Sequence, residues 1–292
     1  MSVRITSAII AAIAAGPLVA QGGATTPQSF QYELIGGWSS SETDASPDLE
    51  INRYIVAGIF HLKPVTVGDH PWNEAPFLEH SSAVNVGVDY TDFEVGAFSA
   101  DGPRFSAGYT FADKETPIAA SVNLSLGTLD GDAGVDIDFT DINGAVGYWL
   151  RPNALVGFEI GMEEIDAGPL LEIEQMRYGF FGKLVHDLGE RRAINVEAHL
   201  GMTSVDDSAS DEDNFEVGVA GDFYFTPQYS VGALLDFSFG DAASEEGTTV
   251  GIRGSAWFCP QGAVNLEWTT FMADDNNGAD EDTLSLFFNL RF

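Results

Sequence analysis

The chain has 292 residues, with 45 Asp and Glu against 12 Lys and Arg and a formal net charge of −33. A charge of that sign repels phosphate backbones, which argues against nucleic acid as a partner. High net charge also accompanies disorder, but disordered chains are poor in aromatics, and this one carries 21 Phe, 8 Tyr and 5 Trp. Cys259 is the single cysteine, so neither an intramolecular disulfide nor a cysteine-based metal site is available. No cofactor is expected.

Residues 1–20 read as a secretory signal. Arg4 supplies the cationic start, Ala8 to Ala15 the apolar run, and Leu18-Val19-Ala20 a plausible cleavage site. Residues 21–292 then form one domain. No later apolar run has the length of a membrane helix. Barrel strands escape that test, because they alternate apolar and polar residues and average to neutral.

From residue 30 onward the dominant signal is period-two alternation, the mark of a strand with two unlike faces. Segments of this kind fall near 30–40, 50–62, 82–93, 104–112, 117–129, 137–150, 154–162, 170–185, 193–204, 214–225, 229–240, 248–258, 263–272 and 283–292. The spacing predicts an all-β, transmembrane antiparallel β-barrel of about 14 strands, with 12 or 16 still open. Parity slips in 50–62, 137–150 and 170–185, where a bulge would shift the faces.

The connections alternate in character. One set is short and rich in turn formers: 113–116, 151–153, 226–228 and 259–262, with 186–192 as a longer member. The interleaved set, 41–49, 94–103, 130–136, 163–169, 205–213, 241–247 and 273–282, holds 24 of the 45 acids and no Lys or Arg. A barrel sorts its loops this way because alternate connections emerge on opposite membrane faces, short turns in the periplasm and longer loops outside. The acidic loops are therefore expected to be extracellular, and the long 63–81 connection periplasmic. A soluble β-sandwich shares the alternation but has no reason to sort its loops by charge.

Two regions resemble the general porins of Gram-negative bacteria. One runs from Phe60-His61-Leu62-Lys63-Pro64-Val65 through Pro71-Trp72-Asn73-Glu74-Ala75-Pro76-Phe77-Leu78 to Ser81-Ser82-Ala83-Val84. The other is the C-terminal strand, where Leu284, Leu286, Phe288, Leu290 and Phe292 share one face and end in an aromatic residue, similar to the signal read by the barrel-assembly machinery. His70-Pro71-Trp72 departs from the family pattern. The resemblance implies an outer-membrane pore for passive diffusion of small hydrophilic solutes or ions, without naming one. It also implies partnership with outer-membrane lipid, lipopolysaccharide and the assembly machinery, and a homotrimer as a state open to such a protein.

The C-terminal phase points a set of ionisable residues into the lumen. The acids are Glu33, Asp89, Glu159, Glu197, Glu216, Asp222, Asp236 and Glu267, and the bases Arg104, Arg177, Lys183 and Arg253, with Arg53 on a strand whose parity is out of phase. Charge facing lipid is costly, so an inward direction is nearly forced. Such residues either set ion selectivity or pair across strands to brace the wall. The acidic rim favours cations within a Debye length. Aromatics at strand ends, including Tyr109, Tyr148, Trp149, Phe158, Phe225, Phe258 and Trp268, suit interfacial girdles.

Three further readings remain in play. Asp206, Asp207 and Asp211, and Asp274, Asp275 and Asp280, offer hard oxygen ligands for calcium, but neither run has EF-hand spacing. A barrel enzyme would require a nucleophile beside an oriented base. Only His199, near Glu197 and Asn195, sits on a well-defined strand, and no Ser lies in a Gly-x-Ser-x-Gly context. The main alternative to a porin is a structural or adhesion barrel whose lumen is blocked.

Overall fold

The computed structural model describes residues 28–44, 48–168, 172–207, 211–240, 246–273 and 279–292. The predicted signal at 1–20 lies outside them. Fourteen strands run in chain order: β1 (Gln28–Thr43), β2 (Leu49–Val67), β3 (Ala83–Val95), β4 (Phe98–Ala112), β5 (Ile118–Gly131), β6 (Val135–Arg151), β7 (Ala154–Asp166), β8 (Glu172–Gly189), β9 (Arg192–Asp207), β10 (Asp211–Thr226), β11 (Tyr229–Gly240), β12 (Gly247–Cys259), β13 (Gly262–Ala273) and β14 (Glu281–Arg291). Each pairs antiparallel with its chain neighbours. β1 also pairs with β14, from Glu33↔Arg291 to Thr43↔Glu281, closing the barrel.

Alternation decides which face goes where. Phe105, Phe180 and Phe258 stand on the outside, more than half exposed, and Val86, Leu126, Val146, Val219, Val231 and Phe288, about half exposed, share that face. The opposite parity carries Glu33, Asp141, Glu163, Asn195, Asp222 and Arg291, all buried inside. A cylinder that is apolar outside and polar within inverts the soluble rule, and it is what hydrocarbon selects: closure leaves no backbone edge unpaired.

Every strand lies where the alternation places it. The observed strands are mostly longer at the acidic end, because charged residues continue the ladder. The acidic stretch 94–103 is mostly strand, with Gly96 (φ 60°) turning β3 into β4. The register shifts fall at or beyond the turn ends of the out-of-phase segments, not in their middles. Those of β6 and β8 fall beside the turns, at Trp149/Arg151 and Asp187/Gly189, and that of β2 against β1 falls between Phe60 and Val65. The parity of 137–150 is in fact continuous. It looked broken because Phe139 faces inward while Ile142, Val146 and Tyr148 face outward.

Two ends result. The turn end carries the short connections. The loop end carries the acidic ones, and the β8–β9 turn shows how tight the former are. Glu190 (φ 54°) and Arg191 (φ 63°) both adopt left-handed conformations, the pair of positive angles that a two-residue hairpin uses to match strand twist.

Val219 sits midway along β10 on the outer face. Val219→Arg is expected to destabilise the barrel in phospholipid vesicles by about 2–4 kcal/mol, as cations at mid-depth do. Urea unfolding followed by tryptophan fluorescence would measure it; an unchanged midpoint would contradict the outward assignment.

Candidate functional site

Three layers fill the lumen. At the turn end the β2–β3 connection folds inward. Pro71 precedes a 3-10 turn, Trp72–Glu74, which runs into the short helix α1, Ala75–Leu78, with a proline in its first turn. Proline is suited there, since its ring sets φ and the missing N–H had no helical partner. The segment then reaches wall after wall. The Trp72 N–H donates to the Pro227 carbonyl at the β10–β11 turn (2.8 Å), and its carbonyl accepts from Arg291 Nη1 on β14 (2.7 Å). Asn73 Oδ1 accepts from Trp257 Nε1 on β12 (2.6 Å). Glu74 accepts from the Tyr224 hydroxyl on β10 (2.9 Å) and pairs with Lys183 on β8 (2.8 Å). His80 stacks on Trp149 of β6 (3.7 Å between centroids) and donates from Nε2 to the Pro152 carbonyl (2.9 Å). A segment anchored on β6, β8, β10, β12 and β14 lies across the opening.

The same end holds a buried charge cluster at the closure seam. Glu33 on β1 takes Arg291 Nε at 2.9 Å and His61 Nε2 at 2.9 Å. A carboxylate only accepts, so His61 donates from Nε2, while Nδ1 meets the Ser81 hydroxyl at 2.8 Å. The Arg291 guanidinium lies against Phe30 (4.2 Å) and Trp257 (4.0 Å), a stacking that a planar, weakly hydrated cation favours. Outside the span, Asp113 in the β4–β5 turn accepts from Lys63 of β2 (2.7 Å) and from the Glu115 N–H (2.8 Å). Those two hydrogen bonds hold the Asp113 carboxyl below the usual range.

The middle layer is ionic and divides into two groups. On β2 to β8, Asp89 lies 3.7 Å from Arg53 and 3.4 Å from Arg104. Arg104 approaches Glu163 at 3.9 Å, and Arg177 approaches both Glu163 (3.7 Å) and Asp141 (3.2 Å). On β8 to β13, Lys183 pairs with Glu197 (2.8 Å). Arg253 clasps Asp222 through Nε and Nη2 (2.8 and 2.7 Å) and reaches Glu197 at 3.6 Å. Glu267 faces Arg253 in the β12–β13 register. Glu159 leans against Gly179, where a side chain would crowd its carboxylate. His199 meets Asp236 at 3.2 Å, not Glu197. Gly218 lies between these two partners, and any side chain there would strike both. Glu216 is exposed.

The outermost layer is apolar and was not anticipated. Ala100, Leu129, Phe139, Ile165, Ile173 and Val205, the inward residues at the loop ends of β4 to β9, form one buried cluster with Phe93, Phe98 and Ile137 beside it. Together the layers leave a polar cavity of about 230 Å³ next to the connection, between β9 and β14.

Arg53, left uncertain by its strand's parity, joins the other wall charges through Asp89, but several of their partners were missed. Glu163 was counted in an acidic loop, yet it continues β7 and is fully buried among arginines. Asp141 was hidden by the apparent parity slip, although it shares the inward parity of Asn143 and Ala145. Arg291 shares the inward parity of β14 and was legible there. Glu74 and Tyr224 carried no signal, because the connection's fold decides their meeting. Trp149, assigned to a girdle, points inward. Tyr109, Tyr148, Phe158, Phe225, Phe258 and Trp268 do face outward. Of the calcium candidates, Asp274 and Asp275 lie outside the described residues. Asp280 accepts from the Ala273 N–H (3.1 Å), and Asp211 pairs in register with Asp206 across β9–β10. Among the described residues no group of three His, Cys, Asp or Glu is placed to hold a metal.

The closed cylinder has the fold of outer-membrane β-barrels. Among solved structures it is similar to the Acinetobacter baumannii outer membrane protein Omp33, with 20% identity, a TM-score of 0.52, and coverage of 91% of this chain and 100% of that one. It is also similar to a mutant of the TodX monoaromatic hydrocarbon channel, at 9% identity, a TM-score of 0.55 and 91% of each chain. The β domain of the Bordetella autotransporter BrkA superposes with a TM-score of 0.51 at 11% identity, over 90% of this chain and all of that domain. No family model matches the sequence, and no curated protein matches it either. A channel and an autotransporter domain share this architecture, so what the barrel does must be read from its interior.

Arg291→Ala would leave Glu33 buried beside His61 without its main counter-charge. The expected loss is about 3–5 kcal/mol, seen as a lower urea midpoint and a lower temperature for loss of the folded, heat-modifiable band on gels. The Glu33→Leu/Arg291→Met pair should restore most of it, since both buried charges then go together.

Proposed function

We propose that this chain is an outer-membrane channel for passive diffusion of small hydrophilic solutes or ions, with its turn end in the periplasm and its acidic loops outside. One observation carries the reading: charges of both signs meet inside a closed cylinder around a polar cavity, and apolar residues cover its outside. A barrel serving only as an anchor gains nothing from desolvating so many ions, whereas a solute crossing the membrane requires water and polar partners along its path. Fourteen strands also lie nearer the open than the filled end of the barrel range.

The β2–β3 connection then forms an inner plug and the β4–β9 apolar cluster an outer constriction. The route that remains follows the β9–β14 side. The terminal face of Leu284, Leu286, Phe288, Leu290 and Phe292 serves the assembly machinery. It is well placed, because β14 pairs its outer neighbours on both sides and the Phe292 backbone is joined to Gln31 and Tyr32.

Planar-bilayer recording tests the proposal. Discrete conductance steps are expected, with a reversal potential favouring cations under a salt gradient, because the acidic connections hold 24 acids in sequence and no Lys or Arg. The preference should weaken as ionic strength rises. Anion preference would contradict the second part and silence the first. Removing residues 69–81 should raise the single-channel conductance at least twofold, and Glu74→Ala, which frees Lys183 and Tyr224, should raise the open fraction.

The second reading, a blocked structural or adhesion barrel, draws on the same connection, anchored to five walls. The deletion separates the two. A channel conducts before the deletion and more after it, while a blocked barrel is silent until the connection is removed.

A further inference from the structure

The cavity beside the plug differs from the rest of the lumen in what it leaves unsatisfied. Its walls include Glu74, Glu197, Asp222 and Glu267, and of cations only Arg253, with Lys183 standing behind Glu74 and Glu197. Four carboxylates against two cations leave an excess of negative charge in a confined space, where a low dielectric strengthens it.

Polar acceptors are left over as well. Asn195, only 1% exposed, donates from Nδ2 to Glu197 (2.9 Å) and to Asp222 (3.1 Å). Two carboxylate acceptors fix the orientation of its amide, which turns Oδ1 away from both. Among the described residues Oδ1 has no hydrogen-bond partner, and neither has Ser255 Oγ on the neighbouring wall. A buried amide oxygen without a partner is costly enough that most find one. Glu267 is cross-strand from Arg253, but no hydrogen bond from a described residue reaches its carboxylate. What the cavity lacks is donors and positive charge.

We infer that this cavity is a binding subsite for a small organic cation bearing a primary ammonium group. An ammonium has three donors and no acceptor, which suits a lining that holds the Glu267 carboxylate and, without partners among the described residues, Asn195 Oδ1 and Ser255 Oγ. The space, about 230 Å³, is that of about eight waters, enough for a short-chain amine and too little for a sugar polymer or a peptide. An anion meets the carboxylate excess, and a neutral diol supplies donors without offsetting the charge. The subsite rests on the channel reading for its route of entry alone.

Calorimetric titration of the detergent-refolded barrel tests it, with 1,4-diaminobutane, 1,4-butanediol and succinate as probes. The diamine should bind, the diol at least tenfold more weakly, and succinate not at all. Glu267→Gln should weaken the diamine about tenfold, and Glu115→Gln, the same charge change in the exposed β4–β5 turn, should leave it unchanged. Equal binding of diol and diamine, no diamine heat, or indifference to Glu267→Gln would overturn the inference. Because the titration requires no conductance, its failure is separable from that of the channel. A conducting barrel that ignores the diamine loses the subsite, and a silent barrel that binds it keeps the subsite and loses the passage.

Discussion

A sheet in hydrocarbon tolerates no free edge, since each unpaired N–H or carbonyl there costs several kcal/mol. In this chain everything depends on the joint where the last edge disappears, the β1–β14 pairing. The backbone ladder continues along that joint from Glu33↔Arg291 to Thr43↔Glu281. Its turn end is fixed from inside by charge: Arg291 on the last strand reaches Glu33 on the first, and Glu33 takes His61 from the second. The same guanidinium holds the Trp72 carbonyl. Closure of the cylinder and docking of the plug therefore share one side chain. Buried pairs of this kind contribute little net stability beside an apolar substitute. What they supply is register. A strand shifted by one residue turns Arg291 toward lipid.

The cylinder was legible in the sequence for the same reason that it is stable. Two environments, lipid and water, act on alternate side chains, so period two is imposed on every strand. The sorting of acids into alternate connections follows from having two ends. Legibility failed where a third environment intervened. Phe139, Ile165 and Val205 face the lumen but pack on each other, so an apolar residue there says inside, not outside. That inversion made the parity of 137–150 look broken and concealed Asp141. Glu163 was hidden because β7 runs past the expected membrane span, which made a strand residue look like part of a loop.

The lumen residues show how far the pattern can go and where it stops. Periodicity identifies which wall a charge belongs to, and it placed Glu197, Asp222, Arg253 and Glu267 on the inside. It does not say which charges meet. Asp222 and Arg253 lie on β10 and β12, separated by a strand, and touch only because Gly232 on β11 leaves the space between them open. Glu74 reaches Lys183 and Tyr224 by a fold of the connection that no period encodes. Pairing of this sort is a property of the closed cross-section and appears only after closure.

The same geometry explains why the interior is asymmetric. The β4–β9 half carries the apolar outer cluster and the Asp89–Arg104–Glu163–Arg177 group, whose members satisfy one another. That half behaves as a packed wall. The β9–β14 half carries carboxylates, amides and hydroxyls whose acceptors outnumber the donors facing them. Electroneutral networks resist exchange with solvent because each group already has its partner, whereas a surplus of acceptors invites whatever can supply protons and positive charge. A barrel that filled its lumen solely for stability would satisfy both halves alike. The imbalance between them accords with the proposed channel, in which one side is braced and the other, against which the β2–β3 connection rests, is the route.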